Sequence, residues 1–168
     1  MVAAKNDAAH MHLASQIQAK TAFRIYQALV WGNIKEESGI IRGDIGRHPV
    51  DRKKMAVVQE NGKPATTHFR VLERYGEATL VECRLETGRT HQIRVHMAYI
   101  GHPLLGDPKY GTDKKGRVRG SFAIQGQALH SMSLELTHPV TGERMKFHAP
   151  MPEDMEKLIE KLRHRLAK

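Results

Sequence analysis

The stretch Thr66-Thr67-His68-Phe69-Arg70-Val71-Leu72-Glu73-Arg74-Tyr75-Gly76-Glu77-Ala78-Thr79-Leu80-Val81-Glu82-Cys83-Arg84-Leu85-Glu86-Thr87 alternates apolar and polar side chains on both sides of a short break. Thr67, Phe69 and Val71 alternate with polar residues, and Arg74-Tyr75-Gly76-Glu77 reads as a turn. Val81, Cys83 and Leu85 then return apolar while Glu82, Arg84 and Glu86 face water. A period of two on either side of a turn predicts an antiparallel hairpin with one buried face. Gly88 ends the second strand. From Thr90 to Ile100 the period becomes helical: Ile93, Met97 and Ile100 share one side, His91 and Arg94 another, and Gly101-His102-Pro103 stops the helix.

Upstream, Ala22 to Trp31 alternates as a strand, with Phe23, Ile25 and Leu29 on one face and Arg24 and Tyr26 on the other. Gly39 to Gly46 reads as one further strand, followed by a basic loop through His48 to Lys54. Ala8 to Lys20 reads as a short helix capped by Asp7. Downstream, Leu104 to Gly126 is irregular, glycine-rich and basic. Structureless connections beyond about 12–15 residues are uncommon, so it is expected to be a functional or mobile loop. A second hairpin is expected from His130–Leu136 and Arg144–His148, with Met132, Leu134, Leu136, Met145 and Phe147 as its apolar face. Glu153 to Ala167 has an amphipathic helical pattern with Met155, Leu158, Ile159, Leu162 and Leu166 inward. The pattern is α+β: a mostly antiparallel mixed sheet with helices packed on it, in one domain over residues 1–168.

The 168 residues are 40% hydrophobic and 27% charged, which excludes wholesale disorder. Lys plus Arg number 27 against 18 Asp plus Glu, a net +9 that points to a polyanionic partner. No run approaches the roughly 20 apolar residues that span a bilayer, and the N-terminus lacks the apolar core of a secretory signal. No membrane association is expected, and a cytoplasmic location is. The single cysteine, Cys83, excludes an internal disulfide or a multi-cysteine zinc site; it alternates with core residues and reads as a buried inert thiol. Among the 11 histidines there is no pair four apart, so no metal site is expected. The glycines near Gly106 are not followed by Gly-Lys-Ser/Thr and make no phosphate loop. Lys53-Lys54 and Lys114-Lys115-Gly116-Arg117-Val118-Arg119 are basic runs suited to gripping phosphates. The densest polar cluster is Thr87-Gly88-Arg89-Thr90-His91-Gln92-Ile93-Arg94-Val95-His96, donors gathered at a strand-to-helix elbow that suit an anion or a carboxylate.

That cluster, with Leu85-Glu86 before it and Gly101-His102-Pro103-Leu104-Leu105-Gly106-Asp107 and Tyr110-Gly111 after it, resembles the RluA-type pseudouridine synthases, most of all those acting on large-subunit ribosomal RNA. Phe23 to Val30 is similar to the family's tyrosine strand, and Gly62-Lys63-Pro64-Ala65-Thr66-Thr67 to the lead-in of its central hairpin. Leu129-His130-Ser131, His138-Pro139 and Ala149-Pro150-Met151-Pro152 are similar to its closing segment. The resemblance implies a pseudouridine-synthase-like fold and isomerisation of uridine in RNA, with an extruded base, an essential aspartate and no cofactor. It makes Tyr26 the residue that lies against the base and Arg94 the one that orients the aspartate; both lie off the apolar stripes, so neither reads as core. Arg89, His91, Gln92, Lys114, Lys115, Arg117 and Arg119 are the expected RNA-binding residues.

The resemblance also implies a deficit. The family's aspartate lies in a His-Arg-Leu-Asp segment upstream of a Val-Ala-Lys-Asn-like stretch, and it is that later stretch which Met1-Val2-Ala3-Ala4-Lys5-Asn6 matches. None of the six aspartates here (Asp7, Asp44, Asp51, Asp107, Asp113, Asp154) fits, and Asp107 falls in a turn where a structural role is expected. The expectation is a C-terminal portion of the catalytic domain, inactive alone, with a sheet incomplete at its N-terminal side and prone to self-association. A non-catalytic RNA-binding module or a bare fragment are the alternatives.

Overall fold

The strand Phe23–Trp31 (β1) lies in the middle of a sheet and is covered on both sides, so its second half is apolar without a break: Ala28, Leu29 and Val30 are all fully buried. The computed structural model describes residues 23–113, 115–120, 124 and 126–167. After β1 come β2 (Ser38–Arg42), β3 (Ile45–Arg47), β4 (Met55–Val57), β5 (Thr66–Arg74) and β6 (Ala78–Leu85). Helix α1 (Gln92–Tyr99), strands β7 (Leu129–Thr137) and β8 (Arg144–His148), and helix α2 (Glu153–Leu166) complete the order. Six strands form one sheet in the order β2-β5-β6-β1-β7-β8, every neighbouring pair antiparallel, and β3 and β4 form a separate small hairpin. The helix expected over Ala8–Lys20 lies outside the described residues.

The two faces of the sheet carry two cores. Ala28, Val30, Phe69, Val81 and Cys83 face Ile93 and Met97 of α1. Leu29, Ala78 and Leu80 face Met155, Leu158, Ile159 and Leu162 of α2. A third, smaller cluster joins Ile45, Ala65 and Val95, tying the β3–β4 hairpin to α1. The β5–β6 turn needs a left-handed residue, and Gly76 supplies it at φ 83°. Burial, with Glu82 second, pushes the Cys83 thiol up to about 12. We expect it to stay unmodified by a thiol reagent at pH 8 in the native protein and to react on unfolding; rapid native labelling would contradict the packing.

Several expectations change on contact with the structure. The single strand over Gly39–Gly46 is two, β2 and β3, because the chain leaves the sheet at Gly43-Asp44, where Asp44 accepts from Val58 N–H at 2.9 Å. The helix begins at Gln92 rather than Thr90, since His91 takes left-handed angles (φ 56°). That helix is also not amphipathic: Gln92 through Met97 are buried all round, enclosed by the sheet, the β3–β4 hairpin and the segment after Pro103. The start of that segment is core rather than loop. Leu104 and Leu105 are fully buried, and Leu105 N–H donates to Leu29 C=O at 2.9 Å. Its later part holds a bridge between Thr112 and Val118. Two residues expected to point inward do not: Phe147, on the edge strand β8, is 49% exposed and Leu166, at the end of α2, is 56% exposed.

Candidate active site and nucleic-acid interface

The elbow between β6 and α1 is held by one amide. Gln92 Oε1 accepts from Thr87 Oγ1–H at 2.6 Å and from Arg89 N–H at 3.0 Å, which fixes the loop backbone. Gln92 Nε2 donates to Thr66 C=O and to Thr67 Oγ1, both at 3.0 Å. His96 Nε2–H donates to Gly43 C=O at 3.0 Å, a group that can only accept, so Nδ1 of the neutral ring accepts from the Thr67 hydroxyl at 2.8 Å. Each group in this chain has one consistent direction, which sets the His96 tautomer. Burial lowers the His96 pKa, against a smaller opposing effect of the Gly43 carbonyl, in keeping with a neutral ring. Thr67→Val leaves His96 Nδ1 and one Gln92 proton without partners. We expect it to lower stability by about 1–3 kcal/mol in urea denaturation, with Thr67→Ser close to wild type. A valine variant as stable as the serine one would show that the hydroxyl is dispensable.

On the next turn of α1, Arg94 is only 7% exposed and its fork is filled: Nε and Nη2 donate to the fully buried Asp107 carboxylate at 2.7 and 2.8 Å. Asp107 Oδ1 also accepts from Lys109 and Tyr110 N–H at 2.9 and 3.0 Å. Burial pushes the Asp107 carboxyl up, but the Arg94 fork and the two N–H donors outweigh it and hold it below the usual range. The Tyr110 ring lies 5.0 Å from the Arg94 guanidinium carbon. Its hydroxyl accepts from Met55 N–H at 3.0 Å and also shares a hydrogen bond with His91 Nδ1 at 2.9 Å. Burial, then the nearby Arg94 charge, lowers the His91 pKa, in keeping with a neutral ring. Arg94 therefore braces α1, the segment after Leu104 and the β3–β4 hairpin together. It is core, contrary to its sequence reading, and the acid it orients in this structure is Asp107.

Tyr26 keeps to the face expected of it, opposite Ile25 and Leu29. That face carries α1: Tyr26 is half-buried and packs against the cluster containing Ile93 and Met97. Its hydroxyl has no hydrogen-bond partner among the described residues. The structure thus puts Tyr26 and Arg94 on one side of the sheet, with Arg94 turned to Asp107. Arg89 is anchored by Nε donating to Pro64 C=O at 2.9 Å. The later basic run lies elsewhere. Arg117 is paired with Asp113 at 2.9 Å, and Arg119 sits 5.3 Å over the Trp31 ring, five residues and about 17 Å of strand from Tyr26. Lys115 is exposed in the same turn, and Lys114 lies outside the described residues. Sequence reasoning overlooked Arg24. A side-chain carbon at Gly88 would run into the Arg24 guanidinium, which seats Arg24 against the elbow. The alternation that put it beside Tyr26 was the available sign.

Among the described residues no group of three or more His, Cys, Asp or Glu is placed to hold a metal ion, and no helix is long and apolar enough to cross a membrane. The chain belongs to the RNA pseudouridylate synthase family, whose model matches residues 1–99. It is 54% identical over 163 residues to the uncharacterized RNA pseudouridine synthase YlyB of Bacillus subtilis, covering 97% of this chain and 52% of that protein. It is 49% identical to the ribosomal large subunit pseudouridine synthase D of Nitrosomonas europaea, covering 98% of this chain and 48% of that one. The chain thus spans about half the length of the curated relatives it matches. The human RNA pseudouridylate synthase domain-containing protein 1 superposes with a TM-score of 0.72 at 28% identity, over 95% of this chain and 73% of that one.

Proposed function

We propose that this chain is the part of a pseudouridine synthase that receives an extruded uridine of ribosomal RNA, and that isomerisation requires a carboxylate it does not itself place at the site. The observation that carries the reading is Tyr26: a half-buried phenol without a hydrogen-bond partner among the described residues, on the sheet face that bears the polar elbow. A base laid against its ring would be held by stacking, with the phenol close enough to take the carbon-5 proton. Glycosidic cleavage and rejoining at carbon 5 need an acid or nucleophile as well. The one buried aspartate among the described residues, Asp107, is committed to Arg94 and two backbone donors. In this reading an incoming carboxylate meets Arg94 through Nη1, the edge of the fork that Asp107 leaves open. Arg89, His91 and Gln92 shape the elbow over which the RNA passes, and Lys115, Arg117 and Arg119 supply a more distant phosphate contact. No cofactor enters the scheme.

The test is nucleoside analysis of unmodified large-subunit ribosomal RNA after incubation with the chain. No pseudouridine is expected from the chain alone, and site-specific pseudouridine is expected when it is joined to an upstream segment carrying His-Arg-Leu-Asp. Product from the chain alone would overturn the missing-carboxylate reading, and no product from the joined protein would overturn the catalytic one. A non-catalytic RNA-binding module is the second reading, favoured by the commitment of Asp107 to Arg94. Self-association through β2 or β8, the outer strands of the described sheet, goes with the first, and light scattering reporting a dimer or larger species is the expected result.

A further inference from the structure

We propose that Arg24 and Arg89, on either side of Gly88, form a two-guanidinium clamp for an RNA phosphodiester beside Tyr26. The proposal rests on the RNA-directed reading of the site and adds a residue and a ligand group to it. β1 pairs with β6 in unbroken register from Ile25 to Trp31, and the register shift in its pairing with β7 skips Met132 on β7 rather than a residue of β1, so Arg24 and Tyr26, two apart on one strand, project from the same face. Gly88 lies just past the end of β6, with β1 on one side of that strand and β5 on the other. Arg24 reaches it from the β1 side, close enough that a Cβ at Gly88 would displace its guanidinium. Arg89 lies on the β5 side, where its Nε is tied to Pro64 C=O.

Several other arginines are neutralised by an acid: Arg70, Arg74, Arg94, Arg117 and Arg163 each hold a carboxylate. Arg24 has no hydrogen bond or ion pair among the described residues, and Arg89 has none beyond Pro64, which leaves both its Nη groups open. Two cations on either side of one glycine suit an anion held between them. Planar forks also match the oxygens of a phosphate better than an ammonium does. A phosphodiester held there would place the sugar of its nucleotide next to the Tyr26 ring, so the clamp would fix the strand from which the base is extruded.

Salt dependence tests this directly, because each neutralised phosphate adds to the slope of log affinity against log salt, about 0.7 per contact on a single strand. Binding of the full chain to a fluorescein-labelled single-stranded oligouridylate is followed by anisotropy between 50 and 200 mM KCl. Arg24→Met is expected to flatten the slope by about 0.7, so that its affinity changes about 3-fold less than wild type across that range. Gly88→Ala keeps the net charge but displaces the guanidinium, and is expected to weaken binding several-fold. Arg24→Lys should keep the slope and lose affinity, and it carries the test with Gly88→Ala if the methionine variant does not fold. Lys157→Met, on α2 behind the sheet, should match wild type. A wild-type slope in Arg24→Met, or an equal loss in Lys157→Met, overturns the clamp while RNA binding stands. No binding by the wild-type chain overturns the functional reading with it.

Discussion

Asp107→Ala is expected to destabilise the protein by about 3–5 kcal/mol in urea denaturation, among the largest effects of any single substitution outside the two main cores. The cost comes less from the pair that is lost than from the charge that remains. Arg94 is 7% exposed, and with Asp107 gone its guanidinium has no carboxylate within reach of Nε and Nη2. Lys109 and Tyr110 N–H lose their acceptor in the same step. Replacing both partners removes the stranded charge, so Arg94→Met with Asp107→Leu should be more stable than Asp107→Ala alone, and the double-mutant cycle should give a strong favourable coupling. The pH dependence has a definite sign. The folded Asp107 carboxyl lies below its ordinary value near 4, so its contribution is complete above that pH and is lost as pH falls through the folded value. Asp107→Asn should remove that acid-side loss. A cost under about 1 kcal/mol for Asp107→Ala would mean that water reaches the pair and that the brace is weak.

The strands were legible because their alternation is strong: the hairpin of β5 and β6, the strand β1 and the boundaries of β8 can be read from side-chain period alone. What escaped the sequence was burial by neighbours distant in the chain. Arg94 reads as exposed because it falls off the Ile93 and Met97 stripe, and only the fold brings Asp107 to it, 13 positions later. The segment from Leu104 reads as loop because its glycines and lysines outnumber its apolar residues. Yet Leu104 joins the core under α1 and Leu105 the core under α2, and a two-residue apolar anchor has no period to detect. Tyr26 was placed on the right face, but alternation cannot tell a solvated face from one covered by a helix. The same limit hid Arg24, whose significance depends on a glycine 64 positions away. The elbow stood out for its density of donors, although which of them serve the fold is decided by the Gln92 amide.

The second large effect concerns Tyr26. With the chain joined to a His-Arg-Leu-Asp segment, as the proposed function requires, Tyr26→Phe is expected to lower the rate of pseudouridine formation about 10²–10⁴-fold, the range for removing a positioned acid–base group. Its effect on folding should be small. The ring packs against the core that contains Ile93 and Met97, and phenylalanine preserves that contact. The hydroxyl has no hydrogen-bond partner among the described residues, so its removal leaves no buried group unsatisfied. RNA affinity should also be nearly unchanged, because a phenyl ring stacks on a base as a phenol does. The expected signature is therefore a loss in kcat with KM and stability held. Tyr26→Leu separates the two parts of the side chain: it loses the stacking surface too and should raise KM as well. If Tyr26→Phe turned over at the wild-type rate while Tyr26→Leu bound RNA poorly, the tyrosine would serve only as a platform and the proton would leave carbon 5 by another route. If both variants matched wild type in rate and binding, the site would have to be sought away from this face of β1.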